Sequence, residues 1–194
     1  MSDTNLFCLA TIANKHTSTI YNNLMGSFPF MSLKGNICFL VVYHYETNAI
    51  LATLIAGFSD KTILAAYLNQ FEFLLSKGFN IKLNVIDNQA SQVVKKYLTR
   101  KDCNIMLIEP HNHRVNATEH AIQTFKAHFI RMLATTNSNI PFQLWDHLMN
   151  QVETTLNLMC PSRIDLTKSA NEAIYGPYDW NYFPLAPPGC KALI

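Results

Sequence analysis

Ile37-Cys38-Phe39-Leu40-Val41-Val42-Tyr43-His44-Tyr45-Glu46-Thr47-Asn48-Ala49-Ile50-Leu51-Ala52-Thr53-Leu54-Ile55-Ala56 is the stretch whose reading decides the architecture. It holds two apolar runs, Ile37 to Tyr43 and Ala49 to Ala56. Their length and β-branched content predict buried strands. Glu46-Thr47-Asn48 supplies turn chemistry between them, so a hairpin is expected. Upstream, the chain from Phe7 reads as strand-forming, with an earlier strand over Ser18 to Leu24 that ends near Gly26.

Downstream the apolar period changes. Ser59 or Asp60 can cap a helix whose stripe is Ile63, Leu64, Tyr67, Leu68, Phe71, Leu74 and Leu75, and Gly78 stops it. Ile81, Leu83 and Val85 alternate with Lys82 and Asn84, the pattern of a strand with one wetter face. A short helix over about Ala90 to Thr99, a strand over Ile105 to Ile108 and a long helix starting near Asn116 come next. The spacing predicts two more helices, at Pro141 to Leu158 and Ser169 to Tyr175. Pro177, Pro184, Pro187 and Pro188 keep the tail extended. Three strands, then helix, strand, helix, strand, helix: this is an RNase H-like order. The expected fold class is α/β, a mixed five-stranded sheet with helices on both faces. Residues 1–136 are read as the core and 137–194 as C-terminal helices and Pro-rich tail of the same domain.

At 194 residues, 49% apolar and 14% charged, the chain can bury one core, and disorder is excluded. A net charge of +2 does not by itself point to nucleic acid. Cys8, Cys38, Cys103, Cys160 and Cys190 form no C-x-x-C pair, which suits reduced thiols in an intracellular protein better than a disulfide framework or zinc ribbon. Met1 to Asn5 do not begin a secretory leader, and no apolar run reaches membrane-spanning length, so no membrane partner is expected. On that reading the Asn116-Ala117-Thr118 sequon is a chance match.

Two carboxylates stand where such a fold exposes them. Asp87 ends the strand Ile81 to Ile86, and Glu119 lies in the first turn of the long helix, 32 positions later. Carboxylates converging at the carboxyl edge of a sheet can hold magnesium for in-line attack on a phosphodiester. Asp87-Asn88 is equally a cap or turn, and Asn116-x-x-Glu119 is capping-box-like. Spacing alone leaves both readings open.

The residues around these acids carry a resemblance. His111-Asn112-His113-Arg114-Val115-Asn116-Ala117-Thr118-Glu119-His120-Ala121-Ile122-Gln123-Thr124-Phe125-Lys126 resembles the segment bearing the last acid of LTR-retrotransposon integrases. Trp145-Asp146, Leu156-Asn157-Leu158, Pro161-Ser162-Arg163, Ser169-Ala170 and Pro184-Leu185-Ala186-Pro187-Pro188-Gly189 are similar to the segments C-terminal to that acid in copia-like elements. Gly26-Ser27-Phe28-Pro29 and Gly35-Asn36 resemble the first hairpin, whose D-x-T-G-x-F-P pattern carries the first acid. The resemblance runs from about Ile20 to Gly189.

It implies the DDE-type catalytic core of an integrase, a DNA-binding polynucleotidyl transferase that joins element ends to target DNA. It implies Mg²⁺ or Mn²⁺ on Asp87 and Glu119, a homo-oligomer, and a nuclear site of action in a eukaryotic host. The first catalytic Asp falls at Asn23, a neutral amide in place of a carboxylate, which implies weakened or absent catalysis. A non-enzymatic RNase H-like module for DNA binding or oligomerisation is the alternative. Glu46 sits in the predicted hairpin turn and Asp60 at a cap, so neither is expected to replace the lost acid. Lys126, on the face of Glu119, and Arg114, just before that helix, are the candidate DNA contacts. For Lys126 a plain solvated lysine is the competing reading. Lys95, Lys96, Arg100 and Lys101 read as a solvated face. His111-Asn112-His113 has no supporting ligands for zinc or an HNH nuclease, and aromatics such as Tyr67, Phe71, Phe125 and Phe129 read as core.

Overall fold

The computed structural model describes residues 17–86, 92–107, 117–188 and 190. Five strands are seen: β1 (Thr19–Leu24), β2 (Cys38–His44), β3 (Ala49–Ile55), β4 (Leu83–Ile86) and β5 (Asn104–Leu107). They form one sheet in the order β3-β2-β1-β4-β5. β1, β2 and β3 are antiparallel neighbours, while β4 runs parallel to both β1 and β5. Helices α1 (Asp60–Ser76), α2 (Gln92–Arg100), α3 (Ala117–Thr135), α4 (Met149–Met159) and α5 (Ala170–Tyr175) cover it. The sheet is therefore mixed, with helices on both faces.

The continuous apolar run of β2 has a direct cause, because all seven of its residues are buried. Cys38, Leu40 and Val42 face a layer containing Ile20, Tyr67, Phe71, Leu74 and Leu98, built largely from α1 and α2. Phe39, Val41 and Tyr43 face the opposite layer of Tyr21, Phe125, Phe129, Trp145 and Val152, built from α3, α4 and the turn before α4. The hairpin turn works through Asn48, at φ 59°, where an asparagine tolerates the left-handed region. Its Oδ1 accepts from the Tyr43 hydroxyl at 2.8 Å. Ser59 is the N-cap of α1, accepting from the Thr62 N–H at 3.3 Å. Gly78, at φ 86°, lies just past its end.

Three local expectations are corrected. β4 begins at Leu83 rather than Ile81; Ile81 is buried, but the Lys82 N–H bonds to the Ser18 carbonyl at the strand's entry. Asn84, expected to face water, is fully buried. Its amide accepts from Asn22 Nδ2 at 2.7 Å and donates to the Tyr67 hydroxyl at 2.7 Å, so a polar chain joins β1, β4 and α1 within the apolar layer. Pro141 to Leu158 is not one helix. Residues Phe142–Leu148 form a 3-10 helix that leads directly into α4, its first turn closed by the Leu144 N–H on the Pro141 carbonyl.

The C-terminal elements close the β3 edge of the sheet. Asn157 of α4, fully buried, accepts from the Ile50 N–H through Oδ1 and donates to the Ile50 carbonyl through Nδ2, both at 2.9 Å. One turn earlier, Glu153 accepts from the Ala52 N–H at 2.8 Å and from the Tyr175 hydroxyl at 3.2 Å. Two side chains of one helix thus stand in for a missing sixth strand.

Candidate active site

β1 carries the first candidate residue. Side chains alternate along a strand, and Tyr21 and Met25 belong to the layer under α3, so Asn23 between them is on that face. It is half-buried and pairs with Val41 of β2. On the other side of β1, the parallel register sets Asn22 beside Ile86, the last described residue of β4.

Glu119 lies in the first turn of α3 and is half-buried. It precedes Ile122 by one turn, and Ala121, Ile122 and Phe125 pack in the same layer as Tyr21 and Met25. α3 also contacts β1 directly. The fold therefore puts Asn23 and the Glu119 turn on one face of the sheet. Asp87 and Arg114 lie outside the described residues, as do His111, Asn112 and His113. Lys126 is exposed on α3, between the buried Phe125 and Phe129.

The remaining candidates fall elsewhere. Glu46 comes two residues after His44, which pairs with Ile20, so it sits at the opposite end of β1 from Leu24. Asp60 is the first residue of α1, behind the capping Ser59. In the basic group, Lys101 pairs with Glu72 at 3.0 Å and lies over the Tyr97 ring, tying α2 to α1. Among the described residues no group of three or more His, Cys, Asp or Glu converges as a metal site would require. The described cysteines are all free, and no described helix is long and apolar enough to cross a membrane.

Two motifs far apart in sequence brace the loop after β1. Phe28 stacks on Trp145 at 4.2 Å between ring centroids, and Trp145 Nε1 donates to the Phe30 carbonyl at 3.0 Å. Asn36 Nδ2 donates to Asp146 Oδ2 at 2.9 Å across a separation of 110 residues. Burial opposes ionisation of Asp146, but the Ser32 hydroxyl and the Asn36 amide outweigh it and hold the carboxyl below its usual range. In the sequence, Trp145-Asp146 and Gly26-Ser27-Phe28-Pro29 are joined only as parts of one pattern. Their contact is the physical reason both matter, because together they fix the exit of the strand that carries Asn23.

Comparison with solved structures decides the fold. The chain superposes on a chain of the simian T-cell lymphotropic virus intasome with a TM-score of 0.61 at 14% identity. The match covers 90% of this chain and 58% of that one. The fold is that of an integrase catalytic core. The BIV integrase catalytic core matches at TM-score 0.56 and 9% identity, over 81% of this chain and 93% of that one. The HTLV-2 integrase catalytic core, solved as a trimeric form with magnesium, matches at 0.56 and 17%, over 81% and 95%. The chain spans under two thirds of the intasome chain but nearly the whole of the isolated cores. No sequence-family profile and no curated protein matches it.

Proposed function

We propose that this chain is the catalytic core of a copia-like LTR-retrotransposon integrase, acting on element-end and target DNA, whose chemistry is weakened or lost at Asn23. One observation supports the reading: in an integrase-core fold, Asn23 lies on the sheet face that α3 covers, and the α3 turn bearing Glu119 packs in that same layer. Asp87, the next residue after β4, would complete the set. Arg114 and Lys126 would meet DNA phosphates, and the chain would work as a homo-oligomer in the nucleus of a eukaryotic host.

With a neutral carbonyl oxygen at Asn23, the proposed set keeps two carboxylates, Asp87 and Glu119, where the resemblance implies three, and so offsets less of the charge of two divalent ions. We assign Asp87 and Glu119 as the ligands of a weakened Mg²⁺ or Mn²⁺ site. Losing a shared carboxylate would cost about a thousandfold in rate. The same neutral Asn23 favours, as second reading, a non-enzymatic DNA-binding module descended from an integrase.

The test is calorimetric titration with Mn²⁺ and a strand-transfer assay on the native chain and on Asn23→Asp. The proposal expects weak metal binding and no transfer from the native chain, with both gained in Asn23→Asp. Magnesium-dependent transfer by the native chain, abolished by Asp87→Asn, would show that the site is intact. Absence of metal binding in Asn23→Asp would remove the catalytic reading and leave the module.

A further inference from the structure

The tail lines a second concave surface on the molecule. From Tyr178 to Pro188 it folds back over α4, and with Asn150, Gln151 and Thr154 it lines an open cleft of about 490 Å³. Trp180, Tyr182 and Phe183 are 58%, 75% and 57% exposed. The hydrophobic effect alone would bury such rings; here polar contacts fix them outward. The Asp179 carboxylate accepts from the N–H groups of Asn181 at 2.9 Å and Tyr182 at 3.1 Å, and the Tyr178 hydroxyl donates to the Phe183 carbonyl at 2.8 Å. Gln151 Nε2 donates to the Ala186 carbonyl, tying the tail to α4. The rings meet edge to face, Tyr178 with Trp180 at 4.8 Å and Tyr182 with Phe183 at 4.6 Å, which leaves ring faces open.

The lining selects a ligand class. It contains rings, prolines, three hydroxyls and two carboxamides, and no ionised side chain. A neutral, flat ligand with hydrogen-bonding edges fits such a wall. Nucleobases have that character: every base has a stackable face, and a carboxamide presents a donor beside an acceptor to its edge. In a duplex those faces and edges are already engaged, so an unpaired strand is the matching form. We propose that the cleft between α4 and the tail is a stacking subsite for unpaired nucleobases of a single strand. It extends the proposed DNA handling but needs neither Asn23 nor a metal.

Trp180, which abuts the lining ring of Tyr178 at 4.8 Å, is the probe, since Trp145, the second tryptophan, is 3% exposed and in the core. The full chain is titrated with an oligothymidylate and, separately, with a duplex of equal length, while Trp180 fluorescence is monitored. The single strand should quench saturably, and Tyr182→Ala or Phe183→Ala should weaken it roughly tenfold each, the usual effect of removing one stacking ring. Both side chains are outside the core, so thermal melting should not move. Equal quenching by duplex and single strand, or unchanged affinity in both variants, overturns the subsite. So does quenching that rises with protein concentration alone and disappears in Tyr182→Ala, which would assign the surface to a second copy of the chain. Saturable single-strand quenching with no duplex binding in a separate mobility-shift assay would count against the integrase reading and leave this one standing.

Discussion

The two edges of the sheet are finished differently. At β3, Asn157 and Glu153 of α4 satisfy the outward backbone groups of Ile50 and Ala52. At β5, Met106 and Leu107 are 54% and 44% exposed, and among the described residues no side chain bonds the strand's outer backbone. Unpaired strand edges invite association with other chains, and proteins blunt them by covering, charging or shortening them. Here one edge is covered by a helix, and the other shows no such cover over its four described residues. The C-terminal helices are thus structural parts of the sheet, whatever else they do.

The largest effect should come from breaking the cover. Asn157→Leu keeps the side-chain volume but leaves the buried Ile50 N–H and carbonyl without partners. A loss of about 2–4 kcal/mol in urea unfolding is expected. A loss below about 1 kcal/mol would mean that the edge is held by packing alone.

Glu153 should sharpen the comparison through pH. Burial pushes its carboxyl up to about 7, against the opposing hydrogen bonds from the Ala52 N–H and Tyr175. Between its unfolded value near 4.5 and about 7 the folded chain holds the extra proton, so stability from this group is greatest at low pH and falls as pH rises. Glu153→Gln keeps an acceptor for Ala52 and removes the titration. The variant should gain on the native chain by roughly 1–2 kcal/mol on going from about pH 5 to about pH 8, a range that allows for its half-buried position. Parallel stability curves for the two proteins across that range would refute the assignment.

The β5 edge should respond least in stability. Met106→Lys should change unfolding free energy by no more than about 0.5 kcal/mol while lowering self-association seen by sedimentation, as charge on an open edge does. An equal loss at both edges would show that β5 is covered as well.

Much of this is legible in the chain itself. The hairpin Cys38 to Ile55 can be placed from apolar runs and one turn, because β2 is buried along its whole length and β3 carries one polar residue, Thr53. The α1 boundaries come from Ser59 and Gly78, whose local chemistry is self-sufficient. Asn84 reads as wet in isolation, since a buried amide is recognisable only with its distant partner Asn22 in view. Asn157 is visible as part of a family pattern, but its grip on Ile50, 107 residues away, has no local signal. Of the candidate site, alternation is enough to put Asn23 on one face of β1, while the meeting with α3 depends on tertiary packing that no window of sequence contains.

The Asn22–Asn84–Tyr67 chain also bears on how the protein assembles. Asn22 and Asn84 are 62 residues apart, and β1 and β4 pair in parallel, so the chain must close a long loop before that pairing is rewarded. Apolar side chains alone would tolerate β4 sliding by about two residues, since the same face would stay inward. With the amides in place, such a slip would strand both among isoleucine and leucine side chains, at a cost of about 1–3 kcal/mol for each lost partner. The polar chain therefore acts as a proofreading device for strand alignment, rejecting a mispaired sheet that hydrophobicity alone would accept.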